Sequence, residues 1–78
     1  MHIPQTEIIK YQISITGKVK IKIFDISGKK VLTLLNKIQS AGKYEISLSA
    51  DNISSGVFFY TLYLNDIIKE TKTMILLK

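Results

Sequence analysis

Seventy-eight residues with no cysteine and a single histidine, His2, leave room for one domain and exclude a disulfide framework, a cysteine-based metal site and cysteine catalysis. Fourteen Ile, eight Leu and three Val against two Ala favour half-buried strands over helices; the 46% hydrophobic fraction is too high for a disordered tail, and no run nears the roughly 20 apolar residues that cross a bilayer. Eleven Lys, no Arg and six acids give a net charge of +5, but phosphate and base recognition favour the bidentate fork of Arg, so the lysines read as solvated surface and no nucleic-acid partner is expected.

Met1-His2-Ile3-Pro4-Gln5 lacks the basic and apolar regions of a signal peptide and reads as a short lead-in, residues 1–5, to a single domain over residues 6–78. So abrupt a start is what a piece of a longer protein would show. From Thr6 to Ile15 the side chains of Ile9, Tyr11, Ile13 and Ile15 fall on one face and Lys10, Gln12 and Ser14 on the other, a half-buried strand. Gly17 breaks the pattern. Val19, Ile21 and Ile23 then alternate with Lys18, Lys20 and Lys22, the cleanest period of two in the chain, which predicts a strand with one core face and one wet face.

Asp25-Ile26-Ser27-Gly28 has a carboxylate at the first turn position and a glycine tolerant of positive φ at the fourth, so the chain is expected to reverse there. Lys29 to Asn36 carries Val31, Leu32, Leu34 and Leu35, a short strand for which periodicity leaves a helix open. Ser40-Ala41-Gly42 turns into Lys43–Ser49, with Tyr44, Ile46 and Leu48 on the apolar face. After the polar stretch Asp51–Gly56, the run Val57–Leu64 is apolar on both pleat faces, the mark of a strand inside a sheet. Asn65-Asp66 fits a primed hairpin turn, so the strand from Ile67 towards Lys78 should pair with its predecessor. Together these predict an all-β antiparallel sandwich of six or seven strands.

No set of groups suited to catalysis converges in this pattern, and neither an enzyme nor a cofactor is expected. His2 has no second His or Cys with which to hold zinc, and Asp51 and Asn52 lack the alternating acids of a calcium loop. Phe58, Phe59, Tyr60 and Tyr63 lie on the strand that should be most buried, and Trp is absent, which argues for core aromatics rather than a sugar platform. The unusual feature is the end: Met74-Ile75-Leu76-Leu77 is apolar where termini are usually polar and frayed.

In order, Ile9-Lys10-Tyr11, Gly17-Lys18-Val19, Ile23-Phe24-Asp25-Ile26-Ser27-Gly28, Val31, Ala41-Gly42-Lys43-Tyr44, Ser55-Gly56-Val57-Phe58-Phe59-Tyr60 and Met74-Ile75-Leu76-Leu77-Lys78 resemble the type A C-terminal sorting domain of the type IX secretion system over residues 6 to 78. The resemblance implies an immunoglobulin-like β-sandwich that directs a larger cargo across the outer membrane of Bacteroidetes-type bacteria, through the periplasm to the cell surface or the medium. It implies as partners an N-terminal cargo domain, outer-membrane translocon or shuttle proteins, and a sortase-like peptidase acting upstream of the domain, and no membrane-spanning segment. The matching terminal positions, Lys72, Met74, Leu76, Leu77 and Lys78, would be the recognition element, while Asp25, Gly28, Gly42 and Gly56 match turns whose role is backbone geometry. Two departures stand out: the Asn-Pro-rich opening of the family is reduced to Ile3-Pro4, and Thr73 stands where a second Lys is frequent. The immunoglobulin-like part of flagellar hook-capping proteins shares the central pattern but commonly has a longer acidic loop in place of Ala50–Ser55. The rival reading is an adhesive or structural immunoglobulin-like module of a multidomain surface protein, which an exposed flat cluster among Tyr11, Tyr44 and Tyr63 would favour.

Overall fold

Alternation of branched apolar and lysine side chains builds strands that must bury one face, and the chain solves this with two sheets. In the computed structural model, which describes residues 6–49 and 53–76, the elements are β1 (Thr6–Ile13), β2 (Gly17–Asp25), β3 (Lys30–Gln39), β4 (Gly42–Ser49), β5 (Gly56–Leu64) and β6 (Ile67–Leu76). β1 and β4 form a two-stranded antiparallel sheet, and the other four strands form a second sheet in the order β3-β2-β5-β6. The fold is therefore all-β and antiparallel with six strands among the described residues. The predicted lead-in, the Asp51-Asn52 turn and the terminal Leu77-Lys78 lie outside the described residues.

The core lies between the sheets. Ile9, Tyr11 and Ile13 from β1 and Leu48 from β4 meet Val19, Ile21 and Ile23 from β2, Phe58, Tyr60, Leu62 and Leu64 from β5, and Met74 and Leu76 from β6. Val19, Ile21, Ile23 and Leu76 have no exposed surface, so each contributes about 1.5–3 kcal/mol of burial. β5 is bonded on both sides, to β2 and β6, as its two apolar faces predict.

The ends of elements differ from the expectation in places with a physical cause. β1 stops at Ile13, and Ile15 is 54% exposed in the β1–β2 connection, because the chain must cross from one sheet to the other there. The segment read as a short strand, with a helix left open, is a strand, and at ten residues a longer one than Lys29–Asn36. It pairs with β2 through two register shifts, one passing over Leu34 and one over Val31. Each shift inserts an extra residue, so Leu32, Leu34 and Leu35 all pack on the core although strict alternation would send one of them outward. In the stretch read as polar, Ile53 is buried and joins the core.

Turn chemistry follows the expectation closely. The Gly28 N–H donates to the Asp25 carbonyl at 3.0 Å, while Asp25 Oδ1 accepts from the Ser27 and Lys29 backbone N–H groups at 2.9 and 3.1 Å and from the Ser27 hydroxyl at 2.6 Å. Gly28 takes φ 87°, a left-handed conformation that costs other residues roughly 1–2 kcal/mol. These hydrogen bonds, the one from the Ser27 hydroxyl first, hold the Asp25 carboxyl below the usual carboxylate range. Asn65 and Asp66 sit at φ 52° and 66°, the two left-handed positions of a type I′ hairpin.

Candidate recognition site

β6 is an edge strand: among the described residues it pairs with β5 and nothing pairs on its other side. Its register sets Lys72 opposite Tyr60, Met74 opposite Phe58 and Leu76 opposite Gly56, so these three share the face that looks to the core, and Ile75, opposite Val57, looks away. The positions expected to carry recognition thus have unequal settings. Met74 and Leu76 are sealed in the core at 5% and 0% exposure, Ile75 between them is 57% exposed, and Leu77 and Lys78 lie outside the described residues.

Lys72 shares the inward face but remains open to solvent. Its Nζ lies 2.7 Å from Glu70 Oε1, two residues along the same strand, and this hydrogen bond is the main cause that raises the lysine above its ordinary value. Opposite it, burial pushes the Tyr60 hydroxyl up, with the Lys72 charge pulling the other way. Thr61 and Thr71 close the middle of the β5–β6 pair with their hydroxyls 3.2 Å apart. Of the four expected turn residues, Asp25 and Gly28 lie in the β2–β3 turn, and Gly42 and Gly56 are the first residues of β4 and β5.

The hairpin that launches β6 is tied to β2 by contacts that turn propensity alone does not foretell. Asn65 donates its N–H to the Lys18 carbonyl at 2.8 Å and accepts the Lys18 N–H through Oδ1 at 3.0 Å, and Lys20 Nζ reaches Asp66 Oδ1 at 3.1 Å. That ion pair raises Lys20 and lowers Asp66 from their ordinary values. Gly17 makes room for Asn65: a Cβ there would stand 2.8 Å from the Asn65 side chain and 2.9 Å from Leu64 Cδ1.

An open cleft of about 540 Å³ is lined by Lys10, Tyr11, Gln12, Lys43, Tyr44, Glu45 and Glu70. Its centre is a stacked pair, Tyr11 and Tyr44, with ring centroids 5.4 Å apart and planes at 17°. Both hydroxyls are engaged inside the molecule, Tyr11 donating to Gln39 Oε1 at 2.7 Å and Tyr44 to the Ser40 carbonyl at 2.6 Å. Burial raises the Tyr11 hydroxyl, partly offset by the Gln39 bond. Tyr11 is only 7% exposed, and Tyr63 lies elsewhere, beneath the Lys22 ammonium 5.1 Å from its ring centre. The three tyrosines therefore form no common flat platform, and the pair serves to pin the β3–β4 connection. Gln39, the buried partner, belongs to a stretch whose alternation the bulges had disguised.

Among the described residues no group of three or more His, Cys, Asp or Glu is placed to hold a metal ion, and no helix is long and apolar enough to cross a membrane. A family model described as the secretion system C-terminal sorting domain matches residues 3–77 of the chain. Neither the curated proteins nor the solved structures yield a match.

Proposed function

The chain belongs to the secretion system C-terminal sorting domain family, and from that premise we propose that its last strand is the part of a folded address which the export machinery engages. The domain is a C-terminal sorting signal for type IX secretion, a role that implies interaction with that machinery and export to the cell surface or the medium. Sorting domains are generally non-catalytic. This one acts by being read, with no chemistry of its own.

The observation that carries the reading is the outer edge of β6, which pairs with nothing among the described residues. An edge strand offers main-chain donors and acceptors to an incoming strand, while side chains on alternate positions supply specificity. In this scheme Lys72 and the terminal Leu77 and Lys78 make contact, and Met74 and Leu76, buried as they are, hold the strand in place. The partners are an outer-membrane translocon or shuttle protein met in the periplasm, an upstream cargo domain, and a sortase-like peptidase that cuts between cargo and label. Residues 1–5 serve as the lead-in and residues 6–78 as the label. An immunoglobulin-like classification is supported by the strand order, since a pair β1-β4 facing β3-β2-β5-β6 reproduces the B-E and C′-C-F-G arrangement of that sandwich.

The test is a fusion of residues 1–78 behind a reporter with an inner-membrane export signal, expressed in a type IX-competent host. The reporter is expected in the medium. Lys72→Ala combined with removal of Leu77 and Lys78 should strand it in the periplasm with the melting temperature unchanged. Undiminished release from that variant would remove the terminal strand from the recognition scheme.

A further inference from the structure

The outer face of the four-stranded sheet, turned away from β1 and β4, is divided between an apolar end and a cationic stripe. At the apolar end Phe24 of β2 stands opposite Phe59 of β5, Phe59 opposite Thr73 of β6, and Val57 opposite Ile75. Val57 and Ile75 are 42% and 57% exposed, and Phe24 and Phe59 are half buried without belonging to the residues packed on the core. The four side chains form one patch across three adjacent strands, with Ile26, 73% exposed, in the turn that follows Phe24. Lys22, Lys20 and Lys18 run along β2 on the same face, and Lys30 of β3 stands opposite Phe24. Asp66 engages Lys20, while Lys18 and Lys30 are exposed and Lys22 lies over Tyr63.

Contiguous apolar surface rimmed by charge marks interaction sites on soluble domains. We infer that this face docks on a protein of the export machinery that presents apolar side chains bordered by carboxylates. The inference rests on the sorting-signal reading and deepens it by naming the face that is read. Charge decides the occupant. A second copy would bring another +5 chain with the same lysine stripe to a two-fold contact, which like charges oppose, whereas an acidic protein surface complements the stripe and is steered to it. The patch also adjoins the free edge of β6 through Ile75, so one partner can cover both.

The experiment uses the reporter fused to residues 1–78 and compares Val57→Thr with Ile75→Thr as a double variant, which keeps β-branching, against Ile8→Thr, an equally exposed isoleucine on β1. Melting temperature, size-exclusion chromatography and sedimentation with phosphatidylglycerol vesicles are measured on the same fusions. The expected result is a tenfold or greater loss of reporter from the medium for the double variant, with melting unchanged, and wild-type export for Ile8→Thr. Lys18→Glu with Lys22→Glu should lose export severalfold. Wild-type export by the Val57/Ile75 variant overturns the inference, as does an equal loss from Ile8→Thr. So does a variant that loses only self-association or only vesicle binding, which would assign the patch to a second copy or to lipid. Failure of the unaltered fusion to leave the cell would instead strike the sorting-signal reading itself and the inference with it.

Discussion

Position along the last strand separates residues of like chemistry. Leu76 is sealed against the core while Ile75 beside it faces outward, so Leu76→Ala should cost about 2–5 kcal/mol and Ile75→Ala about 1 kcal/mol or less. Calorimetry reads the difference directly, since at this size each kcal/mol moves the melting temperature by about 4–8 °C. Asp25, like Asp66, contributes to acid sensitivity. Its carboxyl titrates lower in the folded chain than in the unfolded one, so its contribution is present above about pH 4 and is lost as pH falls through the folded value. Asp25→Ala should therefore lower the melting temperature at pH 7, and the gap to the wild type should shrink between pH 4 and pH 2. A gap that stays constant over that range would show that the carboxylate does not organise the turn.

Among the elements, hydrogen bonding is uneven. Among the described residues β2 and β5 are paired on both sides, while β3 and β6 are the edges of their sheet and β1 and β4 have only each other. Amide exchange should therefore be slowest in Ile21–Ile23 and Tyr60–Leu62 and faster by at least tenfold along β6, as the proposed strand addition requires. Equal protection in β5 and β6 would mean that the edge is covered in solution. The pattern of β2, the two-faced character of β5 and the Asn65-Asp66 hairpin were all legible in the sequence because each depends on a local rule. β3 was legible as a strand but not in its length or its inward register, because its bulges shift that register twice and leave the pattern open to a helix.

For the whole molecule, the proposed recognition strand is also part of the core. Met74 and Leu76 close the core from β6, so deleting Met74–Lys78 should unfold the domain as well as silence the signal, and loss of export from that truncation alone cannot identify a contact. Circular dichroism of the truncated fusion is expected to show loss of the cooperative transition, whereas removing Leu77 and Lys78 alone should leave it in place. The candidate site was legible in part. The order of turns and strands, ending in an apolar tetrapeptide, pointed to a sorting domain, and the family match over residues 3–77 agrees. Which members of that tetrapeptide face outward was hidden, because burial depends on a partner strand and an opposing sheet that lie far away along the chain.

By itself the sequence determined the class of the fold, the strands with clean alternation, the turns and the family, since these follow from side-chain branching, a period of two and the backbone preferences of Gly, Asn and Asp. Only the tertiary structure decided that β6 is an edge, that Ile53 and Gln39 are buried, that the tyrosines pin a connection, and that an apolar patch meets a lysine stripe on one outer face. These are properties of pairings between residues distant along the chain, and burial is set by what the fold brings opposite a residue rather than by its neighbours in sequence.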